Sequence, residues 1–227
     1  MNTASTSANN RIWDLPTRLF HWALVVLIAL QFASGEFELF PMRWHYWFGY
    51  TTLVLVVFRI LWGFFGSQTS RFSDFLCGPV SVWRYLRSLI AGKPTASLGH
   101  NPLGGWSVML MLACLLVQVV SGLFSSDDIM TDGPLVGLVT HDTVETMTWL
   151  HQLNENVLLV LISVHVIAAF GYLLIRHDNL ITPMITGVKR TQAARSLRFA
   201  PGWRALILLA VAAGLVAAVL GYYVSRA

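Results

Sequence analysis

A chain of 227 residues with 15 Lys plus Arg, 11 Asp plus Glu and 56% hydrophobic side chains is too poor in charge for a water-soluble domain of its size. About a quarter of an average soluble chain is charged, against 11% here, so most of this one must face lipid or other apolar helices. Disordered, nucleic-acid-binding and disulfide-framework readings are excluded together, and the net charge of +4 reads as loop charge, not as affinity for nucleic acid. A spanning helix needs about 20 largely apolar residues. Taken in chain order, residues 16–35, 44–65, 103–124, 150–175 and 203–223 supply them. Each reads as a helix, because an open sheet in lipid leaves backbone groups unpaired. The expected fold class is an all-α integral membrane protein: a four-helix bundle plus a fifth, C-terminal transmembrane helix.

The cations orient these spans. Arg11 and Arg18 lie at the start of the first span, Arg71, Arg84, Arg87 and Lys93 in the second connection, and Arg176, Lys189, Arg190, Arg195, Arg198 and Arg204 in the fourth. The opposite side has only Arg43 and Arg226, and Arg59 lies inside the second span. Excess Lys and Arg marks cytoplasmic loops, so the N-terminus is expected in the cytoplasm and, after five spans, the C-terminus outside. The third connection, residues 125–149, has no Lys or Arg and carries Asp127, Asp128, Asp132, Asp142 and Glu145, as an outer loop should. Ala33, Ser34 and Gly35 have the small side chains of a signal cleavage site. Residues 1–10 lack positive charge, however, and the apolar run is longer than a signal core, so the first span is read as retained.

The second connection, residues 66–102, leaves two readings open. Its middle, residues 80–90, mixes Val82, Trp83, Tyr85, Leu86 and Leu89 with Arg84 and Arg87, which fits a short helix on the inner membrane surface or a solvated loop with buried anchors. Gly78 and Pro79 start the segment; Gly92, Lys93 and Pro94 end it. Cys77 falls in this connection and Cys114 in the third span, so no intrachain disulfide is expected. No phosphate-cradling loop, carboxylate pair or nucleophile elbow occurs.

Of the seven histidines, His21, His45, His151 and His165 fall within or at the ends of spans. Ionisable groups at membrane depth usually face a partner or a cofactor, although any one alone is explained by a hydrogen bond between helices. His151 and His165 are fourteen residues apart on one helix, about 21 Å along its axis and on nearly the same face. The orientation gives each a mate: His45 with His151 at the outer side, and His21 with His165 toward the inner side. A bare zinc or iron ion would need further ligands beyond the two histidines of each pair. Haem needs only two axial ligands and has apolar faces that suit a Leu-, Val- and Phe-rich bundle, so bis-histidine haem is the economical reading.

Arg18-Leu-Phe-His21-Trp22 opens the first span, His45 followed by Gly49 opens the second, His151 and His165 lie in the fourth, and Arg176-His177-Asp178-Asn179-Leu180 follows. On these residues the chain, over roughly residues 11–190, resembles the bacterial cytochrome b561 family together with the cytochrome b subunits of nickel-iron hydrogenases. The resemblance implies a haem-binding domain over residues 1–190 and a basic inner loop with the fifth helix over residues 191–227. It implies two haem b groups with His21, His45, His151 and His165 as iron ligands, in the bacterial inner membrane. It also implies a respiratory carrier moving electrons between quinone or quinol and a partner, either an outer-side c-type cytochrome or a hydrogenase-like subunit. The fifth span and the long second connection depart from the shortest members of the family. An enzyme reading, a quinone-linked oxidoreductase that oxidises superoxide, stays open, as does a haem-free transporter or scaffold.

Charge suggests further cofactor contacts. Haem propionates are anionic, so Arg18 and Arg59 on the inner side and Arg43 on the outer side are candidates, with anchoring or snorkelling as the alternative. Gly49, one turn after His45, would admit a flat macrocycle or simply pack helices. Trp22, Trp44 and Trp149 read as interfacial belt residues. His100, His141 and His177 are placed in connections without an assigned role. Gln31-Phe-Ala-Ser34-Gly35-Glu-Phe37 in the first span recurs as Gln118-Val-Val-Ser121-Gly122-Leu-Phe124 in the third, an echo that packing alone would explain.

Overall fold

The computed structural model describes residues 8–92, 99–191 and 196–225, so Lys93, Pro94, Arg195 and Arg226 lie outside the described residues. A short strand, β1 (Ala8–Arg11), leads into α1 (Leu15–Gly35) and α2 (Met42–Phe65). The second connection holds a single-turn α3 (Phe72–Phe75) and α4 (Pro79–Ile90). Then come α5 (Pro102–Gly122), α6 (His141–Ile175), the short α7 (Ile181–Thr186), β2 (Val188–Thr191) and α8 (Gly202–Val224). Five of these, α1, α2, α5, α6 and α8, are long and apolar enough to cross a membrane.

The helix starts follow from local chemistry. Asp14 caps α1, its Oδ1 accepting the Thr17 amide at 2.7 Å, and Pro16 sits in the first turn. Asn101 caps α5 in the same way, accepting from the Gly104 amide at 2.8 Å just before Pro102. The helix α6 begins nine residues before the apolar stretch at 150, because residues 141–149 contain no Gly or Pro to stop it. Thr146 and Thr148 return their hydroxyls to the carbonyls of Asp142 and Val144. In the acidic connection before it, Asp127 accepts the Ile129, Met130 and Thr131 amides and the Thr131 hydroxyl, and these bonds hold its carboxyl below the usual carboxylate range.

Between the two readings of the second connection the structure decides for the helix. Tyr85 is buried and its hydroxyl meets that of Tyr172 on α6 at 2.7 Å. Arg176 donates to the Leu89 and Gly92 carbonyls at 2.8 and 3.1 Å, closing the C-terminal end of α4. The helix α4 is thereby tied across one end of α6. Cys77 and Cys114 are both free thiols.

The strands are absent from the sequence reading. β1 pairs antiparallel with β2, Ala8 opposite Thr191 and Arg11 opposite Val188. Four residues with two Asn carry no strand signal by themselves, and the pairing joins segments about 180 positions apart. This ribbon and α7 fasten the exit of α6 to the entry of α1: Trp22 Nε1 donates to the Met184 carbonyl at 3.1 Å and Arg18 to that of Ile185. The end of the bundle bearing the ribbon, α3 and α4 is called the ribbon end below, and the opposite end the acidic-loop end.

Packing pairs α1 with α2 and α5 with α6, while α2 also contacts α5 and α8. The core at the ribbon end gathers Phe20, Phe58, Trp62, Phe72, Phe75 and Leu112 with Ala205 and Ala212 of α8. Small side chains let α8 lie close along α2, so the fifth span is a packing helix against the bundle. A polar knot is set in this core: Asp14, 1% exposed, accepts from Trp62 Nε1 at 3.2 Å and from the Ser70 hydroxyl at 3.4 Å, and Thr17 and Ser70 share a 2.7 Å bond. Asp14→Ala removes both the helix cap and a buried acceptor, so we expect it to lower stability by about 2 kcal/mol, read from thermal unfolding in detergent. Asp14→Asn, which keeps the cap, should cost less.

Candidate functional site

The four membrane-embedded histidines come from three helices: His21 from α1, His45 from α2, and both His151 and His165 from α6. Near the acidic-loop end the His45 and His151 rings face each other with centroids 6.4 Å apart. Toward the ribbon end the His21 and His165 rings also stand 6.4 Å apart. His165 lies ten residues before the end of α6, yet it meets His21 because α7 and β2 carry the chain back onto the start of α1.

The couple at the acidic-loop end is held from behind by a repeated device. His151 Nδ1 donates to the Gln118 carbonyl at 2.9 Å, with Ser121 Oγ 3.2 Å away. A carbonyl can only accept, so Nδ1 carries the proton and Nε2 keeps its lone pair for a metal. His45 Nδ1 meets Ser34 Oγ at 3.1 Å. The Ser34 hydroxyl itself donates to the Leu30 carbonyl at 2.8 Å, so it accepts from the ring. The glycine after each serine leaves room for the ring. A Cβ on Gly35 would stand 3.1 Å from His45 Cε1, and one on Gly122 only 2.8 Å from His151 Cε1. The sequence echo between the first and third spans is therefore this seat, used once by α1 for α2 and once by α5 for α6. Asn154, which the sequence reading passed over, donates to the Cys114 carbonyl and the Gln118 side chain and fixes the α5–α6 register beside it.

The couple toward the ribbon end lacks that seat. His21 Nδ1 is buried without a hydrogen-bond partner among the described residues, and so are Arg18 Nε, Arg59 Nη1 and His100 Nδ1. Arg59 is 3% exposed, with its guanidinium 5.2 Å over the Phe72 ring. The His100 ring is wedged against Trp13 and Phe75, at 4.8 and 4.6 Å between centroids. Burial, with Arg59 and His165 nearby, pushes its pKa down to about 3 and keeps it neutral.

The other candidates sit apart. Arg43 is exposed, its guanidinium 5.9 Å from the neighbouring Trp44 ring at the acidic-loop end. A Cβ on Gly49 would face Gln31 Nε2 at 3.4 Å, so this glycine sits against α1. Exposed His141 lies 3.3 Å from Glu145, and His177 occupies the turn after α6 with a positive φ of 53°.

The ring spacing tests what the couples fit. An imidazole nitrogen binds a metal at about 2 Å and lies roughly 1.1 Å from its ring centre, so two imidazoles on opposite faces of one metal have centres about 6 Å apart. Both couples have that separation, and among the described residues no group of three or more His, Cys, Asp or Glu side chains gathers to complete a bare-ion site. Two ligands with an apolar surround fit haem.

Comparison with known proteins agrees. The description of prokaryotic cytochrome b561 matches residues 12–187. The chain belongs to the prokaryotic cytochrome b561 family. This cytochrome is a multi-pass membrane protein whose family implies haem b. It is similar to the Probable Ni/Fe-hydrogenase 1 B-type cytochrome subunit of Escherichia coli (strain K12), 25% identical over 137 residues, covering 49% of the chain and 57% of that protein. The chain thus spans little more than half the length of that relative. Longer alignments reach the Probable Ni/Fe-hydrogenase B-type cytochrome subunits of Azotobacter vinelandii (22% identical; 78% of the chain, 86% of the relative) and Cupriavidus necator (23%; 78% and 86%). No solved structure gives a significant match.

Proposed function

We propose that this cytochrome holds two haem b groups, one between His45 and His151 and one between His21 and His165, and exchanges electrons between the membrane quinone pool and a redox partner. The observation that carries the reading is the pair of histidine couples, each at the spacing two axial ligands require, at different depths along α6. When bound, each haem supplies a one-electron iron couple. The chain's own residues set its surroundings. Ser34, Ser121 and the Gln118 carbonyl keep the outer imidazoles in one tautomer and one orientation. Apolar side chains of α1, α2, α5 and α6 exclude water.

The cation distribution supports a cytoplasmic N-terminus and an outer acidic loop in a bacterial inner membrane. Residues 1–190 then form the haem domain, with residues 191–227 adding α8. The relatives' names favour a hydrogenase-type oxidoreductase subunit as the partner over a c-type cytochrome. Family membership speaks against the haem-free transporter or scaffold.

The test is the purified protein's spectrum and quantified haem. We expect a dithionite-reduced b-type band, pyridine hemochrome equal to two haems per chain, and reduction by quinol. One haem or none per chain defeats the diheme reading. Rapid reduction by superoxide with none by quinol would replace the carrier by the superoxide-oxidising enzyme.

A further inference from the structure

Four buried polar atoms without partners, Arg18 Nε, His21 Nδ1, Arg59 Nη1 and His100 Nδ1, belong to residues toward the ribbon end. An unpaired buried nitrogen costs about 1–3 kcal/mol, more when it is charged, so a cluster of them marks a place built for something with acceptors. Arg18 is partly satisfied through the Ile185 carbonyl. With His21 assigned to the iron, Arg59 and His100 are the pair left over. Arg59 follows His45 by fourteen residues on α2, which brings it to nearly the same helix face about 21 Å further along, the spacing that separates His151 from His165 on α6. It therefore sits at the depth of the inner couple. The Arg59 guanidinium lies 5.2 Å over the Phe72 ring, Phe72 packs on Phe75 at 5.8 Å, and Phe75 meets His100 at 4.6 Å, so both groups border one aromatic cluster. Asp14 is the nearby carboxylate that acts on Arg59, but it forms no ion pair with it and is engaged by Thr17, Trp62 and Ser70. Among the described residues this buried guanidinium has no close anionic partner.

We propose that Arg59 and His100 form a carboxylate-binding pair that receives a propionate of the haem held by His21 and His165. The assignment rests on the proposed haem ligation. Arg59 supplies the charge and His100 a neutral N–H donor, and the Trp13 and Phe75 rings fix the imidazole so that it cannot turn away. A fixed positive charge here stabilises the reduced, less positive haem and raises its potential relative to the outer one.

The experiment is an optical redox titration of the full-length protein in detergent, comparing wild type with Arg59→Gln, His100→Leu and His100→Asn. In Arg59→Gln the one-electron reduction constant of one haem should fall about tenfold, about 59 mV, with the other unchanged. A His21→Ala background, which lacks the inner haem, identifies which one moved. His100→Leu should lower the same haem's constant by a smaller factor. His100→Asn, whose amide nitrogen falls near the position of Nδ1, should restore it. Selective loss of the inner haem in Arg59→Gln also supports the pair; if that variant loses both haems, the two His100 variants decide. Wild-type potentials in Arg59→Gln and His100→Leu overturn the assignment, and if they come with a raised KM for quinol, the pair belongs to the quinone headgroup. Fewer than two haems in the wild type defeats the ligation itself, a different failure from that of the pair.

Discussion

Alanine at His45 or at His151 should remove one and the same haem, and alanine at His21 or at His165 should remove the other. Each single change should halve the haem-to-protein ratio by pyridine hemochrome, and within a couple the two variants should leave the same residual spectrum. The reason is geometric. The rings in each couple are 6.4 Å apart, close enough for both to bind one iron, whereas His151 and His165 are about 21 Å apart along α6 and cannot share one. A macrocycle with one axial ligand removed loses a bond to iron and gains a water-accessible face, and retention falls accordingly. If His45→Ala and His21→Ala turned out to remove the same haem, the pairing by depth would be wrong.

Valine at Gly122 should empty the His45–His151 site while sparing that of His21 and His165. A Cβ there comes within 2.8 Å of His151 Cε1, closer than side chains come, and 3.1 Å of Nδ1, so the ring must shift. Moving it breaks the Nδ1 bond to the Gln118 carbonyl and displaces Nε2 from the line toward His45. The helix is not at fault, since valine costs only a few tenths of a kcal/mol in a helix relative to alanine. The loss should therefore appear as half the haem with the protein still folded and inserted. Gly35→Val repeats the test from the other ligand, where the approach is 3.1 Å. An unchanged spectrum in Gly122→Val would show that the seat plays no part in ligand placement.

Much of this molecule is legible in its sequence. The five spanning helices follow from apolar length, and α1 and α5 begin at cap-plus-proline signals that need no tertiary information. The couples follow from the direction of each span and from counting depth along it. Other parts were not legible. The α6 start at His141 was hidden because polar residues without Gly or Pro look like a loop to hydropathy and like a helix to the backbone. The β1–β2 ribbon was hidden because its strands are short and distant in sequence. Asp14 and Trp62 give no sign, before folding, that they meet in a buried polar knot.

The Ser-Gly echo shows the division most plainly. Sequence by itself determined that the chain is a membrane bundle, which of its histidines lie at helix depth, and that Gln-x-x-Ser-Gly occurs in two spans, because composition, periodicity and repetition are properties of one dimension. Only the tertiary structure decided that each serine and glycine stands behind a histidine of the next spanning helix, and that Arg59 and His100 border one cluster of aromatic rings. Those contacts depend on the rotation of each helix about its axis, which is set by side chains packing across the bundle and by no single segment alone.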